Sequence, residues 1–262
     1  DGKRLAVVEG GSMKLTIHDV ATGEIVLVGS AVSLRPEWSA DSGMLVFSVR
    51  AAGGDSETVV RVGADGLDPV TLLAGRGPRF MADGKTVIAA PRDTPGGDKV
   101  VAVRSDGRSV TVAGQTRSEE VCPASTGVYF AEAGGLPAGE GFTPPSLRFV
   151  GYDGRGLRSV VATPSGGEHV AFSDLRLSPD GKWLAYAESG DDGYSRVFVV
   201  KTAGGGPYAL KPHKDAYVLG WSVSGRELFL VEGNAVQGEK QSVTAIKPDG
   251  TGWREVVAGG GL

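Results

Sequence analysis

Three histidines (His18, His169 and His213), one cysteine (Cys122) and scattered acids are the residues of this 262-residue chain from which chemistry could be built. Ser173, Asp174 and His169 lie close in sequence and offer a hydroxyl, an acid and a base, but serine chemistry needs the base within hydrogen-bond reach of the hydroxyl. No Gly-x-Ser-x-Gly elbow frames that serine, and three common residue types in one stretch arise easily by chance. No catalytic residue is assigned, and the reading is of a chain that is not an enzyme. His169, Asp174, His213 and Asp215 are donor types a divalent ion would accept, yet their spacing forms no metal motif, so no metal ligand and no cofactor is assigned. A divalent cation in a central channel remains the alternative. The acidic stretch Ser189-Gly190-Asp191-Asp192-Gly193-Tyr194 supplies the oxygens a hard cation prefers. It lacks the spaced ligands of an EF-hand and reads as a solvated turn. Cys122 has no internal disulfide partner and reads as a small buried hydrophobe. His18, in Leu15-Thr16-Ile17-His18-Asp19-Val20, reads as structural.

Composition narrows the function classes. The formal charge is −4 and neither Lys nor Arg forms a block, so the electrostatic footprint of a nucleic-acid binder is missing. No apolar run reaches the roughly 18 to 20 residues that cross a bilayer. Hydrophobic residues make up 40%, enough for a substantial core, while 42 glycines and 14 prolines demand many turns. The opening Asp1-Gly2, with no methionine or signal peptide, suggests part of a longer protein.

The elements that must position any site follow from an internal repeat. Ser178-Pro179-Asp180-Gly181-Lys182-Trp183-Leu184-Ala185-Tyr186 is a tight turn feeding an apolar run. Related segments are Asp1-Gly2-Lys3-Arg4-Leu5-Ala6, Asp41-Ser42-Gly43-Met44-Leu45-Val46, Asp83-Gly84-Lys85-Thr86-Val87, Thr126-Gly127-Val128-Tyr129 and Ser224-Gly225-Arg226-Glu227-Leu228. With turn glycines taken at 2, 43, 84, 127, 181 and 225, the copies recur every 41 to 54 residues, the length of a four-stranded blade. Second turns follow at Thr22-Gly23, Asp65-Gly66, Asp106-Gly107, Asp153-Gly154, Ala203-Gly204 and Asp249-Gly250, each between β-branched runs. Asp-Gly is a hairpin signal because glycine accepts positive φ and aspartate caps the local backbone. Each unit therefore reads as strand a, tight turn, strand b, loop, strand c, tight turn, strand d. In the second unit these fall near Pro36 to Ser39, Met44 to Arg50, Thr58 to Val62 and Pro69 to Leu73.

The expected fold is a single all-β domain, a six-bladed β-propeller of four-stranded antiparallel blades over 1–30, 31–74, 75–115, 116–163, 164–212 and 213–258. Stacking six such sheets buries faces that one alone leaves open. The first blade lacks its inner strand a, which upstream residues are expected to supply. Trp38, Phe80 and Trp221 share one repeat position and are expected to pack between blades.

Trp38-Ser39-Ala40-Asp41-Ser42-Gly43, Leu177-Ser178-Pro179-Asp180-Gly181-Lys182 and Trp221-Ser222-Val223-Ser224-Gly225 resemble the TolB-type propeller repeat, whose core is Pro-x-Trp-Ser-Pro-Asp-Gly-Lys before an apolar strand. The fourth unit departs from it, with Pro123-Ala124-Ser125-Thr126-Gly127 in place of that core. The resemblance implies a propeller found in periplasmic protein-binding domains, extracytoplasmic regulator domains, gating domains of serine peptidases and some sugar-degrading enzymes. It leaves function open. An extracytoplasmic address follows from the resemblance alone.

In this strand order the b–c loops and d-to-a connections share one end, where function concentrates. The longest b–c loop runs from about Glu132 to Pro145 and includes Glu140. Arg35, Arg79, Glu120, Asp174, Arg176, His213 and Asp215 enter strand a from the same end. They would ring the channel mouth and, with Glu140, form the partner-binding set. The plainer reading is that they pair and solvate a water-filled channel. The leading expectation is a non-catalytic, monomeric binding module for a protein or peptide. Its alternative is a small-ligand or carbohydrate-binding propeller, extending to metal-assisted lyase or hydrolase activity.

Overall fold

The computed structural model describes residues 2–9, 12–32, 36–51, 57–81, 83–90, 100–103, 109–113, 120–132, 145–162, 171–190, 194–210, 215–233 and 240–258. Every regular element among them is a strand.

The first sheet holds β1 (Arg4–Val8), β2 (Leu15–Asp19) and β3 (Ile25–Gly29). The second holds β4 (Glu37–Trp38), β5 (Met44–Arg50), β6 (Glu57–Gly63) and β7 (Val70–Ala74). The third holds β8 (Arg76–Phe80), β9 (Val87–Ala90), β10 (Val100–Val103) and β11 (Ser109–Ala113), the fourth β12 (Val121–Pro123), β13 (Gly127–Glu132), β14 (Ser146–Gly151) and β15 (Arg158–Ala162). The fifth holds β16 (Ala171–Leu177), β17 (Trp183–Ser189), β18 (Ser195–Lys201) and β19 (Tyr208–Ala209), the sixth β20 (Ala216–Trp221), β21 (Leu228–Glu232), β22 (Ser242–Ile246) and β23 (Arg254–Val257). Neighbours in each sheet are neighbours in sequence and run antiparallel, which makes these sheets the blades of a β-propeller. The expected six blades appear as five complete ones and a three-stranded first sheet.

The turn chemistry explains why the sequence pauses where it does. Ahead of β5, the Ser39 hydroxyl donates to Asp41 Oδ1 at 2.6 Å and accepts the Met44 amide at 2.9 Å, while the Ser39 amide donates to the Met44 carbonyl at 2.9 Å. Ahead of β17 the same set recurs at 2.7, 3.0 and 2.8 Å through Ser178, Asp180 and Trp183. Ser222 repeats the two backbone bonds to Glu227, and in the third sheet Asp83 holds the Thr86 amide and hydroxyl instead. The left-handed residue of these turns is Gly2, Ser42, Gly84, Gly181 or Gly225, with φ between 58° and 73°.

Two expected turn glycines are corrected. In the second sheet the position needing positive φ is Ser42, one residue before Gly43. Gly127 begins a strand, and its reason is close approach: a Cβ there would overlap the Val150 carbonyl oxygen.

The chain packs as two compact units, Asp1–Ser125 with Tyr152–Gly154, and Thr126–Gly151 with Arg155–Leu262. In the first, alternate residues of β5 serve two cores, as a period of two requires. Leu45 and Phe47 pack on Leu15, Ile17, Val32 and Val62, while Val46 packs with Val59, Phe80, Val87 and Ala89. In the second, Ala185, Val197, Val199 and Leu210 of the fifth sheet meet Val218, Leu228, Leu230 and Ile246 of the sixth. Each large aliphatic side chain buried this way is worth about 1.5 to 3 kcal/mol. Trp38, Phe80 and Trp221 all join these inter-sheet cores.

Candidate functional site

In the first unit two of the expected site residues, Arg79 and Glu120, meet around Glu37, which sequence reading did not single out. Arg79 on β8 is almost fully buried, and its Nη1 donates to Glu37 Oε2 on β4 at 2.7 Å. Glu37 also accepts the Phe80 amide at 2.9 Å, and Glu120, just before β12, stands 3.9 Å from Arg79 Nη2. Burial opposes the guanidinium charge, but Glu37 and then Glu120 outweigh it and raise the Arg79 pKa. Cys122 on β12 is buried close by. The group is a clasp in which one cation serves carboxylates from two other inner strands.

In the second unit, Asp174 lies at a bulge where β16 slips against β17 between Ser173 and Arg176. Asp174 and Asp215 are only 2% and 1% exposed, and both hold left-handed backbones at φ 57° and 40°. Such a conformation costs a non-glycine residue about 1 to 3 kcal/mol and persists only where surroundings fix it. For Asp215 the fixing bond is visible: its Oδ1 accepts the Ser195 amide at 3.0 Å, tying β18 to the entry of β20. Arg176 Nη1 donates to its neighbour's carbonyl at Leu175, while the Arg176 carbonyl accepts the Trp221 indole at 2.9 Å. Arg35, Glu140 and His213 lie outside the described residues, as do His169, the 133–144 part of the long loop and Asp191 to Gly193.

One set was missed by sequence reading. Glu132, Glu188 and Glu232 each stand at or one residue from the end of the second strand of their sheets. Glu132 takes Arg148 at 3.0 Å and the Ser146 hydroxyl at 3.0 Å, and Glu232 takes the Thr244 hydroxyl at 2.9 Å and the Trp253 indole at 3.2 Å. Burial raises the pKa of Glu188, against Tyr186 and Arg196, which lower it. The available signal was a glutamate closing an apolar run. His18 bonds Thr16 Oγ1 through Nε2 at 2.9 Å. Among the described residues no three His, Cys, Asp or Glu side chains are placed to hold a metal ion.

The class these features define is a β-propeller whose inner strands are clasped by buried ion pairs and carboxylate–amide bonds. Comparison with solved structures agrees on the fold. The chain is similar to TolB from Acinetobacter baumannii at TM-score 0.65 and 16% identity, over 94% of this chain and 59% of that one. It is similar to an oligogalacturonate lyase in complex with manganese at TM-score 0.67 and 14% identity, over 98% and 74%. It also resembles a Mycobacterium tuberculosis puromycin-hydrolyzing peptidase at TM-score 0.64 and 15% identity, over 97% and 45%. The chain thus spans less than two thirds of the TolB protein's length. No family model matches, and no curated protein matches. The expectation that the chain is not an enzyme is corrected here: a lyase and a peptidase share its fold at the same level as TolB, so the architecture does not set it apart from enzymes.

Proposed function

We propose that the chain is a binding propeller that engages a protein or peptide partner through the loop ends of its sheets. The observation that carries this reading is a contrast between ends. At the turn ends, serine and aspartate side chains are consumed by local hydrogen bonds that recur from sheet to sheet. At the loop ends each sheet has its own polar chemistry, and the inner strands there hold two buried aspartates in strained conformations. In this reading Arg79, Glu120, Asp174, Arg176 and Asp215 hold the inner strands, while Arg35, His213, Glu140 and the 132–145 loop make contact. The likeness to TolB supports it, and an extracytoplasmic address goes with it.

The test is a displayed-peptide screen followed by titration of the best binder. A form with the 132–145 loop shortened and Arg35→Glu with Glu140→Lys should bind at least about ten-fold more weakly, a loss of about 1.4 kcal/mol. Equal affinity for both forms rejects the loop-end reading.

The likeness to an oligogalacturonate lyase favours a second reading, a carbohydrate-binding propeller. Incubation with oligogalacturonate and manganese, followed by ultraviolet absorbance of unsaturated product, decides it. Product that disappears in His169→Ala or His213→Ala moves the assignment to this class.

A further inference from the structure

We propose that the loop end of the fifth sheet seats one ring of a neutral sugar, which stacks on Phe198 and sets a hydroxyl between Glu188 and Tyr186. The proposal rests on the second reading above, a carbohydrate-binding propeller, and gives that reading a place and a class of ligand.

Glu132, Glu188 and Glu232 hold matching positions in the second strands of three sheets. The third strand sets Ser146, Arg196 or Ser242 directly opposite, and Arg148, Phe198 or Thr244 two residues further on. In the fourth and sixth sheets that strand gives the glutamate a hydroxyl donor, Ser146 at 3.0 Å and Thr244 at 2.9 Å. In the fifth it gives none, because Arg196 and the Phe198 ring stand at those positions. Burial raises the Glu188 pKa against the pull of Tyr186 and Arg196, the sign of a carboxylate short of donors.

A second polar group at the same place is unmet. Tyr186 is fully buried, and its hydroxyl has no hydrogen-bond partner among the described residues. It stands near enough to Glu188 for each to shift the other's pKa, yet no hydrogen bond of ordinary length joins them. Buried hydroxyls are rarely left in this state.

The surroundings select the ligand. One hydroxyl satisfies both groups, accepting from Tyr186 and donating to Glu188, whereas an ammonium cannot accept. A cation would also meet Arg196 and an anion Glu188, which leaves a neutral molecule. The Tyr186 ring stacks on Phe198 with centroids 5.6 Å apart and 12° between planes, and Phe172 meets Tyr186 edge-on at 5.7 Å. Phe198 is thus braced from behind, while it and Glu188 stay partly open to solvent. A sugar brings hydroxyls on its rim and a C–H face for the ring, the mix of apolar and placed polar contact that small-molecule sites use. Water brings the hydroxyl without the face.

The probes are the methyl glycosides of glucose, galactose and mannose, with methyl glucuronide and n-butylamine as charged controls. Each is titrated into the full chain while the ring protons of Tyr186 and Phe198 are followed by NMR. At least one neutral glycoside should bind saturably and shift both rings, and the charged controls should leave them in place. Glu188→Gln and Phe198→Leu should each weaken that binding about five-fold, while Glu232→Gln, in the sixth sheet, leaves it unchanged. If no neutral glycoside moves the rings, water alone fills the place and the proposal is overturned, while the lyase assay still decides the reading beneath it. Binding that survives both Glu188→Gln and Phe198→Leu puts the sugar elsewhere, which overturns the site and leaves the reading standing. An equal response to a charged control overturns the site as well.

Discussion

The turn ends and the loop ends of the sheets are built on different principles. Before β5 and β17 the turn end is one motif, a serine hydroxyl bridging an aspartate and a strand amide, with bond lengths agreeing within 0.1 Å. The loop end offers Arg50 with Glu57 in the second sheet and Glu132 with Arg148 in the fourth. It offers Ser189 with Ser195 and Asp215 between the fifth and sixth, and Glu232 with Thr244 and Trp253 in the sixth. Local bonds can be copied with the sequence that encodes them, because every partner lies within a few residues. Bonds between strands or sheets need residues far apart in the chain and can diverge independently.

Breaking the long-range bonds should therefore cost most. Arg79→Met takes the buried cation away from Glu37 and Glu120 and should destabilise by about 3 to 5 kcal/mol in urea unfolding. Adding Glu37→Gln should recover a large part, the non-additivity expected of direct partners. Gly127→Ala forces a methyl against the Val150 carbonyl and should cost about 2 to 3 kcal/mol, with the loss read in the same unfolding curves. Asp215→Ala leaves the buried Ser195 amide without its acceptor and should lose about 2 kcal/mol. Ser39→Ala and Ser178→Ala should each lose about 1 kcal/mol, and by the same amount, since each removes the same bonds. Unequal losses would show that the copies are not energetic copies.

The smallest effect is one of pH, and its sign separates two kinds of acid. Asp41 and Asp180 have pKa values lowered chiefly by the Ser39 and Ser178 hydroxyls. Their contribution is whole above the ordinary carboxylate pKa near about 4 and is lost as pH falls through the lower folded values. Glu188 is raised by burial, so its charge costs the folded state above its folded pKa, and the cost disappears as acid protonates it. Urea midpoints followed downward through about pH 5 to 3 should fall less steeply in Asp41→Asn with Asp180→Asn. In Glu188→Gln they should fall more steeply, because a compensating gain is gone.

The same division governs what the sequence makes legible. The repeat, the strand order and the shared position of Trp38, Phe80 and Trp221 are written in local patterns and could be read. The placement of positive φ at Ser42 could not, because the adjacent Gly43 offers the more permissive residue and only backbone geometry chooses between them. Gly127 falls where a turn glycine is expected in the register, while its need arises from a carbonyl on β14. Arg79 and Glu120 could be named as inner-strand residues, but Glu37, the partner that holds Arg79, lies 42 residues away and carries no local mark. In sequence Asp174 and Asp215 look like residues lining a mouth open to ligands, whereas in the fold each is at most 2% exposed.

Among the described residues no strand pairs with the edge of β1 that faces away from β2, where Leu5 is exposed, and this bears on how a chain of these 262 residues behaves at high concentration. Any extended chain, including one shed by a partly unfolded neighbour, finds there a ready ladder of amides and carbonyls. Lys3 and Arg4 at the start of β1 place like charges where two such edges would meet and oppose stacking of intact molecules. Salt screens that repulsion. Concentrated solutions should therefore scatter light sooner in high salt than in low, the reverse of what a protein held together by surface ion pairs would do.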